Sequence, residues 1–114
     1  MDCTSITDCF GIMHINPKPT QIKSLILSLQ DPQTDVCPHP DVSISHYNTG
    51  HLLTYHKNKI LTLENLEPTN KTMKILKNIS QKDAIQLFSA LNNDQFDPII
   101  NRPWIESDLW SLKL

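Results

Sequence analysis

The stretch Val42-Ser43-Ile44-Ser45-His46-Tyr47-Asn48-Thr49-Gly50-His51-Leu52-Leu53-Thr54-Tyr55-His56 decides the fold. Val42, Ile44 and His46 alternate with Ser43, Ser45 and Tyr47. That is the two-residue period of a strand with one buried face. Asn48-Thr49-Gly50 is a turn signal, and residues 51–56 form a second strand-like run. Lys57-Asn58-Lys59 reads as a second turn, and residues 60–64 as a third strand. Beyond the turn Glu67-Pro68-Thr69-Asn70, residues 71–79 are read as a fourth strand, with Met73 and Ile75 on one face. A helix through Met73, Leu76 and Ile79 competes with that reading.

Helical patterns flank this block. Ile22, Leu25, Ile26 and Leu29 sit at i, i+3, i+4 and i+7, one apolar stripe at helical spacing. Thr20 is the expected N-cap, and Asp31-Pro32 is the stop, because a residue before proline avoids helical backbone. Residues 1–17 read as an extended arm or short strand. The prolines at 32, 38 and 40 make 31–41 a loop. Ser80-Gln81-Lys82-Asp83 resembles a capping box, and Ile79 can staple onto Ala84. Ala84, Leu87, Phe88 and Leu91 then repeat the helical stripe, which Asn92-Asn93 ends. Pro103, well suited to a first helical position, predicts a last helix with Ile105, Leu109 and Leu112 on one face. Strands in series with short turns, and helices segregated from them, make an α+β fold. The expectation is one small two-layer domain over residues 1–114. It holds an antiparallel meander of three to four strands and two or three helices.

Composition narrows the function classes. The 114 residues carry a net charge of −2, with a pI near 6.2. No apolar run approaches the ~18 residues of a membrane span, and Met1-Asp2-Cys3-Thr4-Ser5 lacks the features of a signal peptide. Three cysteines are too few and odd in number for a disulfide framework, so reduced thiols and a cytoplasmic setting are expected. Ala, Val, Gly, Asp and Glu, whose codons begin with G, make up only 18 of 114 residues. A coding strand poor in G produces such a bias; small AT-rich or strand-biased genomes, many of them viral, have one, and so does an ordinary AT-rich cellular gene.

The chemical groups are few. Cys3, Cys9, Cys37 and His39 could in principle surround zinc, but their spacing matches no ligand knuckle, and no metal or other cofactor is expected. His46, His51 and His56 surround one hairpin and are read as surface residues that do not converge. No phosphate-cradling glycine loop, H-E-x-x-H or G-x-S-x-G motif occurs, so no catalytic residues are assigned.

The order helix, strands, helix, with Ser80-Gln81-Lys82-Asp83-Ala84 opening the second helix, resembles the double-stranded RNA-binding domain. That resemblance covers about half the chain and rests on topology. It implies phosphate contacts from Lys71, Lys74, Lys77 and Lys82, within a stretch where residues 57–82 hold six Lys against Glu64 and Glu67. The G-rich features of the family are absent, and residues 1–56 are acidic, with five Asp and two Lys.

The leading expectation is therefore a non-enzymatic protein-interaction or regulatory domain, a viral accessory factor acting on a host protein. RNA binding is the alternative. The expected contact residues are Trp104, Ile105, Leu109 and Trp110, aromatic and aliphatic anchors on the last helix, with a protein partner or a second copy on the other side; the competing reading is that Trp104 and Ile105 cover the domain's own core.

Overall fold

A computed structural model describes residues 4–29, 41–47, 49–65 and 72–108. The fold is α+β. The strands are β1 (Thr4–Thr7), β2 (Met13–Ile15), β3 (Asp41–His46), β4 (His51–His56), β5 (Leu61–Asn65), β6 (Thr72–Leu76) and β7 (Ile105–Asp108). The helices are α1 (Pro19–Ser28), α2 (Gln81–Asn92) and the single turn α3 (Asp97–Ile100). All the strands form one antiparallel sheet in the order β2-β1-β3-β4-β5-β6-β7.

The expected meander is the centre of this sheet. β3 through β6 pair in chain order, and residues 72–76 are strand, which resolves the competing helical reading. Three further strands flank this meander, where one short strand at most was expected from residues 1–17 and a helix from Pro103. The 1–17 arm folds as the hairpin β1–β2 and docks beside β3 through the pair Ile6↔Ile44. On the far side β7 pairs with β6, Ile105 opposite Ile75. The sheet is therefore seven strands wide rather than three or four.

Register places the strand residues of the main core cluster on one face, while buried Met73 and Ile75 of β6 lie on the other. Ile6, Ile44, Leu53 and Leu63 lie opposite one another in a row across β1, β3, β4 and β5. Val42, Tyr55, Leu61 and Leu76 form the neighbouring row. All eight are buried, and they form one cluster with Ile22, Ile26 and Leu29 of the α1 segment and Ala84, Leu87, Phe88 and Leu91 of α2. The helices thus cover that face, as a two-layer arrangement requires. Tyr55 carries its hydroxyl into this core and donates it to the carbonyl of Ile79, 2.7 Å away, so the buried polar atom is satisfied.

Helix boundaries follow local chemistry. Ser80 caps α2, its hydroxyl accepting from the Asp83 N–H at 3.1 Å. α1 begins two residues earlier than an N-cap at Thr20 predicts, because Lys18 is the cap and Pro19 takes the first helical position, where it needs no N–H. Over the described residues 103–108, the helix expected from Pro103 does not form. The same proline rule operates upstream, at Pro98 in the first turn of α3, and residues 105–108 are strand because the edge of β6 accepts them. Among the described residues, no helix is long and apolar enough to cross a membrane.

Phe88 is fully buried between the two helices and the sheet. Phe88→Ala is expected to cost ~3–5 kcal/mol, and Ser80→Ala about 1 kcal/mol. Chemical denaturation of the two variants checks both. A Phe88→Ala midpoint equal to wild type would contradict the packing described.

Candidate functional site

Two features stand out from the scaffold. One is a chain of polar side chains at the β3–β4 turn. The other is the β1–β2 hairpin.

Gly50, at φ 74°, closes the β3–β4 turn and donates its N–H to the His46 carbonyl at 2.9 Å. His46 and His51 therefore face each other across the hairpin, both on the helix side of the sheet. The expectation that these histidines stay apart fails for this pair and holds for His56, which lies at the other end of β4 beside Asp41. Thr49 Oγ1 sits between the two rings, 2.9 Å from His46 Nδ1 and 2.8 Å from His51 Nδ1. His46 Nε2 meets the Asp94 carboxylate. Phe96 stands edge-on to His46, centroids 5.3 Å apart, and is tilted against His51 at 5.7 Å.

A carboxylate only accepts, and that fixes the directions in this chain. His46 donates from Nε2 to Asp94. With His46 neutral, its Nδ1 accepts the Thr49 hydroxyl, and Thr49 in turn accepts from His51 Nδ1. Both nitrogens of His46 are thus occupied by protein groups, and the ring is buried. The arrangement ties the hairpin to the end of α2.

Asp94 reaches His46 from an unusual backbone. The Asp94 N–H bonds to Leu91 O and the Gln95 N–H to Ala90 O, the two bonds of a Schellman ending to α2. Asp94 holds the left-handed position, φ 59°, where glycine is the usual residue. Its side chain also borders a cavity of about 230 Å³ lined by Thr4, Asn16, Pro17, His46 and Asn92. The polar atoms there largely bond to one another: Thr4 Oγ1 donates to Asn92 Oδ1 at 2.5 Å, and Asn92 Nδ2 donates to Pro17 O at 3.1 Å.

The β1–β2 hairpin is closed by Asp8. Its Oδ1 accepts from the N–H groups of Phe10 and Ile12, its carbonyl accepts from Gly11, and Oδ2 lies 3.3 Å from His14 Nε2. Gly11 takes φ 84°, which a side chain would strain. This rigid turn presents Phe10, Ile12, Met13 and Ile15, each more than half exposed. Tyr47 is also exposed, with its hydroxyl 3.0 Å from Ser5 Oγ on β1. Single exposed apolar residues are ordinary, but four within six residues on an edge hairpin are not.

No family model, no curated protein and no solved structure matches this chain.

The residues singled out from sequence are scattered. Trp104 is half-buried against the core and donates its indole N–H to Ile99 O at 2.6 Å. Ile105 is exposed on β7, at the opposite edge of the sheet from the hairpin. Leu109 and Trp110 lie outside the described residues, as does Lys71. Lys74 lies on the helix face of β6, near enough to His51 to influence its ionisation. Lys77 directly follows β6 and Lys82 lies in the first turn of α2; between them Ile79 N–H bonds to Lys59 O and brings the 57–59 turn alongside. Cys9 is buried in the core, while Cys3, Cys37 and His39 lie outside the described residues. Among the described residues no cluster of three metal-ligating side chains occurs. The hairpin patch was missed because Phe10, Ile12, Met13 and Ile15 mix odd and even positions across a turn and match no period.

Two outcomes follow. Trp104→Ala is expected to destabilise the fold by ~3 kcal/mol or more, read by equilibrium melting, because the indole covers the core. Burial holds the His51 and His56 imidazoles below the 6.5 of an ordinary histidine, aided at His51 by His46 and Lys74 and opposed at His56 by Asp41. Their contribution to stability is complete above 6.5 and is lost as pH falls below it, since the unfolded chain then binds protons the folded one does not. The melting temperature should fall between about pH 7 and pH 5.5, and less steeply in His51→Asn/His56→Gln.

Proposed function

We propose that this chain is a non-enzymatic protein-binding domain whose docking surface is the β1–β2 hairpin. The observation that carries this reading is the exposed apolar set Phe10, Ile12, Met13 and Ile15, held rigid by Asp8 on an edge strand. Rigid apolar groups bind with little ordering cost, and an edge strand offers main-chain hydrogen bonds to an extended segment. The surface differs from the C-terminal one expected from sequence, because Trp104 is committed to the chain's own core. The setting proposed is a viral accessory factor acting on a host protein in the cytoplasm; the shortage of residues with G-initial codons supports its viral origin alone.

The lysines around the start of α2 support a second reading, duplex-RNA binding, because Lys59 is brought beside the 77–82 stretch. Four strands rather than three separate α1 from α2, and further strands flank them, which departs from the double-stranded RNA-binding topology.

Panning a random displayed-peptide library on the immobilised chain is expected to enrich apolar, strand-forming peptides. Their affinity should drop at least tenfold for Ile12→Lys/Ile15→Lys. Failure to enrich, or equal binding to that variant, would remove the hairpin as the docking surface. Duplex RNA that binds at physiological salt, and no longer binds Lys71→Gln/Lys74→Gln/Lys77→Gln/Lys82→Gln, would replace it with the second reading.

A further inference from the structure

One oxygen of the Asp94 carboxylate accepts from His46 Nε2. The other has no hydrogen-bond donor among the described residues, and the side chain is 46% exposed. A neutral imidazole N–H offers a dipole and no counter-charge. Among the described residues Asp94 pairs with no lysine or arginine. The last turn of α2 holds no basic residue either.

Asp94 borders the cavity of about 230 Å³ between the open end of the β1–β2 hairpin and the end of α2. The lining turns its own donors on its own acceptors. The Thr4 N–H donates to Asn16 Oδ1 at 3.2 Å, Thr4 Oγ1 to Asn92 Oδ1, and Asn92 Nδ2 to the Pro17 carbonyl. With His46 neutral, the formal charge on this lining is that of Asp94 alone. It draws in a cation and repels an anion. At about 230 Å³ the cavity is smaller than the ~300–1,000 Å³ of a drug-sized ligand site, so it suits the end of a side chain rather than a cofactor.

We propose that this cavity is a subsite for the primary ammonium of a lysine carried by the segment that docks on the hairpin. The inference rests on the hairpin being the docking surface and adds a charged contact to it. What Asp94 has left to offer selects the cation. His46 occupies one carboxylate oxygen, so the guanidinium fork of arginine finds a single acceptor where it is built for two. A calcium ion takes about six to eight oxygen ligands, and no cluster of three metal-ligating side chains occurs among the described residues. An ammonium is a compact point charge that one carboxylate oxygen answers. Position supplies the link to the docked segment. Asn16 of the lining directly follows Ile15, an exposed member of the apolar set. Adjacent residues are ~3.8 Å apart, within the reach of a lysine's four-carbon stem.

Two measurements test the subsite. In the first, N-acetyl-lysine N-methylamide is titrated into the isotope-labelled chain and followed by nuclear magnetic resonance. The amides of Thr4, Asn16, His46, Asn92 and Asp94 should shift. The norleucine analogue, alike in shape but uncharged, should leave them in place. Asp94→Asn should abolish the response, since asparagine tolerates the left-handed backbone and its Oδ1 still accepts from His46. No shift with the lysine compound, or an equal shift with the norleucine one, overturns the subsite, and both comparisons use the wild-type chain. In the second, peptides selected on the wild-type chain should carry a lysine beside their apolar run and bind Asp94→Asn at least tenfold more weakly. Selected peptides that lack lysine, or that bind both chains equally, overturn the subsite and leave the hairpin as the docking surface. A selection that yields no peptide removes the hairpin and the docked lysine with it, and the titration then shows whether the cavity takes a free amine instead.

Discussion

The opposition of His46 and His51 across the β3–β4 turn is the constraint on which the rest of the molecule depends. It places Ile44 against Leu53 and Val42 against Tyr55, so four central core residues face the helices together. A slip of one residue would turn Leu52 and Thr54 inward and Leu53 and Tyr55 out. Gly50 holds this register through a backbone angle other residues resist. The polar chain through Thr49, His46 and Asp94 holds it a second time, from the helix side. The two strands that adjoin the meander directly, β1 and β7, take their alignment from sheet edges that this hairpin sets.

The polar chain also shows how a helix ending is used for more than stopping a helix. Glycine at position 94 would satisfy the left-handed backbone with less strain but would leave a nitrogen of a buried imidazole without its acceptor. Aspartate accepts the conformational cost and supplies that acceptor. Phe96, two residues further on, packs on both imidazoles. The short segment after α2 therefore acts as a clasp over the hairpin.

Local signals carried the centre of the fold and little of its periphery. The period of two in residues 42–47, the turn residues and the stripe Ala84, Leu87, Phe88 and Leu91 each agreed with the packing found later, so β3 to β6 and α2 were legible. The C-terminal strand was not. Pro103 and the spacing of Ile105 and Leu109 satisfy a helix as well as they do a strand, and the choice is made by the open edge of β6, a partner distant in sequence. The β1–β2 hairpin was half legible: Asp8 and Gly11 form a turn with a known chemistry, but its apolar residues face outward, against the rule used to find strands. The meeting of His46 and His51 could have been read by counting back from Gly50. Asp94 could not, because nothing near it in sequence indicates a histidine on another element.

The position of Asp94 has an electrostatic consequence. Carbonyl groups at the end of a helix carry partial negative charge, and a carboxylate placed there is repelled. α2 has no basic residue in its last turn to offset this, and Asp94 adds a formal charge just beyond it. The group that does meet that charge is the N–H of His46, from a strand 48 residues away in sequence. The negative pole of α2 is thus quenched from the sheet. The helix end and the hairpin should loosen together or not at all, as one cooperative unit in amide hydrogen exchange.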